Sequence, residues 1–451
     1  MLSRIAAINQ RLSPGLRKII GNIGWLTAER LLGFTVTLSV GIYVIRYLGA
    51  EDFGKLSYAL SFVGLFSAIA KLGLDSIVVR NIVREESATQ EVLGTAFGLK
   101  LISSSTATFL AILAAFNFRT QSEVPWIVLI ISVGLIIDSL EVIDFWFQSQ
   151  VQAGAMVLAR SITLIVSSIA KLFLVAIGAP LIAFAWLILV DYGIKAIGRI
   201  IIYFANSLSI LKWQFNWSIA RELTKDSWPL VLAGMMVSIY MKIDQVMLGN
   251  MVGDQAVGNY AAAVRFSELW YFIPAAICAS IFPSIVRVRQ KNREQYYLRL
   301  QMLYDLMAWI SFSIAVPLMF FSGNLLNLLL GQGYNEAGKI LALHIWAAPF
   351  VFLGVARSQW LTAENYTGFS FGTTFMGAGL NLGLNYLLIP SLSGVGAAIA
   401  TLVSYAFATH IACLLYPQMH NTGWMLTKSL FIPFRIRQNL LYFKSLKTKC
   451  L

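Results

Sequence analysis

The chain has 451 residues, 58% hydrophobic and only 12% charged, with a net charge of +13 and a mean hydropathy of +0.72. A soluble domain carries roughly 25% charged residues, so this composition excludes a water-soluble fold and points to an integral membrane protein. Three cysteines, Cys278, Cys413 and Cys450, form neither a disulfide framework nor a metal-ligand spacing, and topology explains the positive charge better than a nucleic-acid partner does.

The first 20 residues, MLSRIAAINQRLSPGLRKII, lack the apolar core and small-residue cleavage site of a signal peptide. They read as a basic amphipathic helix on the membrane surface. A membrane helix needs about 20 mostly apolar residues. Twelve such segments follow: 21–48, 55–78, 92–117, 124–148, 156–177, 180–205, 228–251, 256–284, 301–322, 338–361, 366–389 and 395–416. The longest connection, 206–227, is polar and basic and carries Trp213 and Trp217, residues suited to a membrane interface. The expected fold is therefore an all-α integral membrane protein of about twelve transmembrane helices in two six-helix halves. The N-terminal half is 1–205, the linker 206–227, the C-terminal half 228–416, and 417–451 a basic cytoplasmic tail.

Lys and Arg set the orientation. With the N-terminus inside, the cytoplasmic segments hold Arg4, Arg11, Arg17, Lys18, Arg80, Arg84, Lys212, Arg221 and Lys225. They also hold the run RVRQKNRE and the tail residues Lys428, Arg435, Arg437, Lys444, Lys447 and Lys449. The outer loops hold little beyond Arg46, Lys55, Arg119 and Lys339. Both termini are expected inside.

The halves look related. LGAEDFGKLSYA (48–59) aligns with VGDQAVGNYAAA (252–263), pairing Gly49 with Gly253 and Gly54 with Gly258. GAPLIAFAW (178–186) resembles VGAAIATLV (395–403). Two parallel halves of six helices place their axis along the membrane normal and a cavity at their interface near the midplane.

Charges inside the apolar segments narrow the function. One at mid-helix costs roughly 2.5–3.5 kcal/mol on the insertion scale, so it faces a wet cavity or a partner. Glu29 and Arg30 lie in predicted helix one, Lys71 and Asp75 in helix two, and Asp138, Glu141 and Asp144 in helix four. Arg160 and Lys171 share a face of helix five. Asp191, Lys195 and Arg199 climb helix six, Arg265 and Glu268 lie in helix eight, and His344 and Arg357 in helix ten. The helix-six ladder reads better as structural pairing, whereas the helix-four acids and helix-five bases suit pairing or a site equally. Lys242 and Asp244 are two residues apart and cannot face each other on a helix. Each needs a partner elsewhere: a functional cavity, or a cross-pair such as Asp244 with Arg30.

Four segments carry a family resemblance. YVIRYLGAEDFGKLSYALSFVGLFSAIAKLGLDSIVVR (43–80), FWFQSQVQAGAMVLAR (145–160), YMKIDQVMLGNMVGDQAVGNYAAAVRFSELWYFIP (240–274) and LNLGLNYLLIPSLSGVGAAIATLVSY (380–405) resemble, in order, segments of polysaccharide-unit flippases. These are the Wzx-type branch of the multidrug/oligosaccharidyl-lipid/polysaccharide exporter superfamily. The resemblance implies a MATE-like fold with a central cavity, and a carrier that is not an enzyme. It implies an undecaprenyl-pyrophosphate-linked oligosaccharide as substrate, flipped between leaflets of the bacterial inner membrane, with membrane lipids around it. The polysaccharide polymerase and chain-length machinery are candidate further partners. By position, Lys242, Asp244, Arg265 and Glu268 match charged positions of the family's second half, and Arg30 falls where first-helix basic residues are common.

Cations in a low-dielectric cavity attract phosphate, and Arg binds it with a bidentate fork. Arg30, Lys242, Arg265 and Arg357 are therefore the expected substrate-binding cations. Tyr240, Tyr260, Trp270, Tyr271, Trp346, Asn381 and Asn385 offer surfaces or hydrogen bonds to sugars. No cofactor is expected. Asp244, Glu268, Asp144 and Glu141 are candidates for coupling to a proton or Na⁺, and the membrane potential supplies about 2.3 kcal/mol per charge per 100 mV. A multidrug/cation antiporter of the same superfamily is the first rival, with the helix-four acids as its best argument. A membrane-embedded sugar polymerase, ligase or acyltransferase is the second, opposed by short outer loops and the scattered His344, His410 and His420. LGQGYNEAGK and SGVGAA lack the lysine of a phosphate loop and read as turns and close helix packing.

Overall fold

The computed structural model describes residues 14–119, 123–289 and 292–435, with the side chains of residues 14–32 outside that description. Most of the surface helix expected at the N-terminus and the end of the basic tail therefore lie outside the described residues. Among those described there is no β-strand, and ten helical stretches are long and apolar enough to cross a membrane. Their outward faces are greasy: Phe109, Ile169, Phe320, Leu328 and Leu387 are more than half exposed, as suits a chain whose surroundings are lipid.

Ten differs from the expected twelve because two predicted pairs of helices are each fused into one run. α1 (Pro14–Lys71) is broken only at Gly49, which takes φ 70°, ψ 174°. As a straight helix it would span about 87 Å, nearly three times a bilayer core. Only glycine takes such a conformation without a Cβ penalty. The second fused run, α14 (Thr367–Ala406), is defined with its unit below.

The chain divides into two compact units, Met1–Lys242 and Ile243–Leu451. The division falls inside a helix, later than the 206–227 segment. In the first unit α1 is followed by α2 (Asp75–Arg84), α3 (Thr89–Phe118), α4 (Val124–Ile137), α5 (Val142–Ser149), α6 (Ala153–Ala176) and α7 (Leu181–Ala205). A last helix, α8 (Trp217–Met251), carries the division. α1 packs on α3, α4 and α6, and α7 on α4 and α6. α2 is amphipathic: Ile77, Val78 and Ile82 join a core with Leu93, Val142, Phe147, Tyr203 and Leu223, while Arg80 and Arg84 stay exposed. The 206–227 segment is docked as well as polar. The Asn216 backbone N–H donates to the Thr95 hydroxyl oxygen (2.9 Å) and its side-chain amide donates to Glu91 (2.7 Å), and Trp213 donates to the Tyr203 hydroxyl (3.1 Å). A Cβ on Gly94 would strike the Gln214 backbone at 2.6 Å, so glycine permits this approach.

The second unit continues with α9 (Asp254–Glu268), α10 (Phe272–Arg289), α11 (Arg293–Leu330), α12 (Ala337–His344) and α13 (Ala347–Ala363). It ends with α14, a π-turn over Phe407–Ile411, α15 (Ala412–Leu415) and α16 (His420–Leu430). α14 is broken at Ser393 (φ 51°, ψ −134°), just after Pro390 removes a helical N–H. The chain reverses there so tightly that a Cβ on Gly396 would meet the Leu388 carbonyl oxygen at 2.5 Å, and one on Gly394 would meet Ile340 Cδ1 at 2.6 Å. The SGVGAA run thus makes a turn and a close helix contact. Gly253, before α9, repeats the geometry of Gly49: positive φ, extended ψ, then a helix with acidic residues at its start. α4 and α5 are separated by a tight turn at Asp138–Glu141, and α12 and α13 by Ile345 and Trp346. The region read as a basic tail begins as a packed element. α16 lies on α11, where buried Asp305 accepts hydrogen bonds from Ser429 (2.7 Å), Gln301 (2.8 Å) and Arg435 (3.4 Å).

Candidate functional site

Two charge clusters stand out, one in each unit. In the first, the break between α4 and α5 turns Asp138 and Glu141 off the regular helical ladder, and Asp144 follows one turn on. Arg199 of α7 donates to Asp138 (2.8 Å) and twice to Asp144 (3.3 Å). Arg160 of α6 donates to Asp144 at 2.6 Å. Glu141 accepts from Lys100 of α3 at 2.8 Å, and that lysine is only 2% exposed. Asp138, Glu141, Asp144, Arg160 and Arg199 line an open cleft of about 360 Å³, together with Tyr192, Lys195 and Thr163. The ladder Asp191–Lys195–Arg199 does not pair within itself. Asp191 takes a hydrogen bond from Ser167 (2.7 Å) and lies 3.8 Å from Lys171, Arg199 goes to the α4–α5 acids, and the Lys195 ammonium sits 5.4 Å from the centre of the Tyr192 ring.

The second cluster surrounds Asp244, 4% exposed on α8. The Tyr260 and Thr401 hydroxyls each donate to Oδ2 at 2.6 Å, and Asn385 Nδ2 donates to Oδ1 at 2.5 Å. Asn385 also reaches Asn381 Oδ1 at 3.1 Å, while Asn385 Oδ1 is buried without a partner. Helix geometry assembles the set. α8 and α9 join through the short turn at Gly253, which brings Tyr260 back to Asp244. Asn385 and Thr401 lie at equal distances along the chain on either side of the Ser393 reversal, so both reach the same carboxylate. No cation lies within ion-pair distance of Asp244 among the described residues, in contrast with Asp138, Glu141, Asp144 and Asp305. Tyr260 and Asn385, expected as sugar contacts, are bound to this carboxylate, and Asn381 is bonded to Asn385.

The remaining candidates are scattered. Lys242 is half-buried in the first unit, its Cγ 3.6 Å from where a Gly64 Cβ would stand, and forms no ion pair among the described residues. Arg265 is half-buried on α9, also without a carboxylate or hydrogen-bond partner there. Trp270 follows α9 with its indole N–H buried and unbonded, Glu268 closes the same helix, and Tyr240 is half-buried on α8. Arg357, 6% exposed, donates to the carbonyls of Ala408 (2.7 Å) and Thr409 (3.0 Å) and approaches Cys413 Sγ (3.4 Å). Those carbonyls belong to the π-turn, where a widened helix leaves acceptors free. The Arg30 side chain is outside the described residues. Sequence reasoning missed Lys100, Thr401 and Asp305. Lys100 had a signal, a charge deep in an apolar segment. Thr401 had none, because a hydroxyl in an apolar helix most often bonds its own backbone.

No group of three or more His, Cys, Asp or Glu that could hold a metal lies among the described residues, and the architecture is that of a multi-pass membrane protein. It superimposes on an inward-facing multidrug resistance MATE family transporter of the MOP superfamily with a TM-score of 0.73 at 16% identity, over 90% of this chain and 99% of that one. It also superimposes on the lipid II flippase MurJ with a TM-score of 0.68 at 16% identity, over 93% of each chain. At such identities the likeness concerns the fold. The polysaccharide biosynthesis protein family model matches residues 19–289, more than half of the sequence, and a MatE family model matches residues 229–387. The chain belongs to the polysaccharide biosynthesis protein family, as the four quoted segments implied. Among curated proteins, the probable low-salt glycan biosynthesis flippase Agl15 of Haloferax volcanii is 25% identical over 236 residues, about half the length of each protein (49% and 49%). The capsular polysaccharide biosynthesis protein CapF of Staphylococcus aureus is 21% identical over 86% of this chain and 96% of its own.

Proposed function

We propose that this protein is a flippase that carries an undecaprenyl-pyrophosphate-linked oligosaccharide unit across the bacterial plasma membrane by alternating access, for surface polysaccharide biosynthesis. Both termini are cytoplasmic in this reading, as the Lys and Arg distribution favours. The observation that carries it is the contrast among intramembrane cations. Lys100, Arg160, Arg199 and Arg357 have acidic or carbonyl partners, whereas Lys242 and Arg265 have no acid partner among the described residues. Desolvated cations without a counter-charge suit a substrate that brings its own negative charge, and a pyrophosphate does. Family membership and relatives described as flippases support the same reading.

Asp244 is the coupling group in this proposal. It is deeply buried and held only by neutral donors, with Asn381, Asn385 and Thr401 oxygens beside it. Hard oxygen ligands suit a small hard cation or a proton. Glu141 and Asp144 are already matched by basic side chains. That matching removes the acids of the first unit, the best argument for the antiporter reading.

The test is flipping in proteoliposomes, with a fluorescent undecaprenyl-pyrophosphate oligosaccharide and a reagent that cannot cross the membrane. Protein-dependent transfer is expected, with Lys242→Ala and Arg265→Ala inserted normally but inactive. Transport of ethidium against a proton or Na⁺ gradient, with no lipid transfer, would replace this function with drug antiport.

A further inference from the structure

The end of the chain combines two properties that transport leaves unused. No Asp or Glu follows Glu364, while Lys428, Arg435, Arg437, Lys444, Lys447 and Lys449 crowd the last part of the sequence. In the same stretch α16 presents two unlike faces. Met425, Leu426 and Ser429 are buried toward α11. On the other side His420, Trp424, Lys428 and Phe431 fall within about 80° of arc. Trp424 is 59% exposed, Phe431 58%, and Phe434 in the turn that follows 80%. Arg435 donates to the Lys428 carbonyl (3.2 Å), so that turn is folded back on the helix. No carboxylate lies within 4.0 Å of the Lys428 ammonium among the described residues. α16 is also strapped to the rim of two membrane spans. The last span ends at Leu415, and a Cβ on Gly423 would meet Leu414 Cδ2 at 2.8 Å, so the chain doubles straight back on that end. Thr427 Oγ1 lies 2.7 Å from His410 Nε2, inside the span. On the other flank Gln301 donates to the Met425 carbonyl (3.1 Å) and to Ser429 Oγ (2.8 Å). α11 has 38 residues, far more than the roughly 20 that cross a bilayer core, and Gln301 lies in its first third.

We propose that the exposed face of α16 docks on the headgroups of anionic phospholipids, with Trp424, Phe431 and Phe434 entering the boundary between headgroups and acyl chains and Lys428 meeting a lipid phosphate. Aromatic rings that water would leave uncovered are satisfied at that depth, and a lysine among them lays its stem along the apolar surface while its ammonium reaches the phosphate layer. An apolar stripe alone would suit any lipid or a second protein. The acid-free run of cations selects an anionic surface, since each Lys or Arg close to one adds to the attraction and no carboxylate nearby in sequence subtracts from it. The straps to His410, Gln301 and Asp305 hold the face in place before any lipid arrives, so little ordering is lost on docking. This docking is independent of what the protein transports, and its failure would leave the flippase reading untouched.

The experiment places full-length protein, one copy per nanodisc, in phosphatidylcholine alone and in phosphatidylcholine mixed with phosphatidylglycerol. Amide hydrogen exchange is read across His420–Leu430. Exchange there is expected to be about 5-fold slower in the anionic discs, the effect of one cation close to a charged surface, with α12 unchanged. The difference should shrink at high salt. Lys428→Gln should remove most of it and Lys428→Arg should keep it, both with wild-type thermal unfolding in phosphatidylcholine, because the side chain is exposed and makes no ion pair. Trp424→Gln should speed exchange in both lipids. Equal exchange of the wild type in the two lipids, or a lipid difference that survives Lys428→Gln in full, would overturn the inference. Protection that appears only in densely loaded vesicles, whatever their lipid, would assign the face to a second copy of the chain and overturn the lipid assignment.

Discussion

Replacing Asp244 by Asn and by Leu separates what the carboxylate does for stability from what it does for transport. Its oxygens accept three short hydrogen bonds, from Tyr260, Thr401 and Asn385. A bond to a charged group contributes about 1.5–3 kcal/mol and a neutral one about 0.5–1.5. Exchanging carboxylate for amide therefore loses about 1 kcal/mol per bond, or about 3 in all. Against this, the amide avoids the several kcal/mol that burying an ion costs. The two nearly cancel, so Asp244→Asn should unfold within about 2 kcal/mol of wild type. Asp244→Leu removes every acceptor. Tyr260 and Thr401 can then turn to each other, their oxygens being 3.3 Å apart, and Asn385 retains Asn381 at 3.1 Å. That limits the cost of stranded donors, about 1–3 kcal/mol each, to about 3 kcal/mol in total. In a unit of this size such a loss lowers the melting temperature by about 6–12 °C. Thermal unfolding in detergent reads the stabilities, and ion-driven flipping in proteoliposomes reads function. The Asn variant should be stable but uncoupled, because an amide neither releases a proton nor neutralises a cation. A Leu variant that melts within a degree or two of the Asn variant would refute the packing argument. An Asn variant with wild-type ion dependence would refute the coupling role.

Arg199→Met should cost about 3 kcal/mol, because it strands Asp138 and leaves Asp144 with Arg160 alone. Arg80→Met, which breaks an exposed pair with Asp226, should cost under about 1 kcal/mol, and comparing their melting temperatures checks the difference. Arg357→Met should destabilise the second unit by about 3 kcal/mol by stripping donors from the Ala408 and Thr409 carbonyls. Its melting temperature should fall while flipping per folded molecule is retained. Asp305→Ala should release α16 from α11, read as faster amide exchange confined to His420–Leu430.

Much of this protein was legible in its residues. Runs of about twenty apolar side chains must be helices in lipid, since no other unbranched segment satisfies its own backbone there. Lys242 and Asp244, two apart, were bound to look for different partners, and they do: Lys242 packs beside Gly64, and Asp244 is held by Tyr260, Asn385 and Thr401. The SGVGAA run was readable as a turn with close packing because glycine is the residue that both demand.

Partners were a different matter. Periodicity shows that Arg199 shares a face with Lys195 and Asp191, yet all three turn to different neighbours, because an acid on an adjacent helix at 2.8 Å outcompetes one a turn away on the same helix. Arg357 looked like a substrate cation until the π-turn at Phe407–Ile411 supplied free carbonyls, a local defect with no composition signature. The fusion of predicted helix pairs at Gly49 and Ser393 depended on single backbone dihedrals. Sequence alone determined the membrane class, the helices and which residues carry charge, because hydrophobic length and residue chemistry are local properties. Only the tertiary structure decided which charges are neutralised and which are not, because that depends on distances of a few ångströms between helices that lie tens to more than a hundred residues apart in the chain.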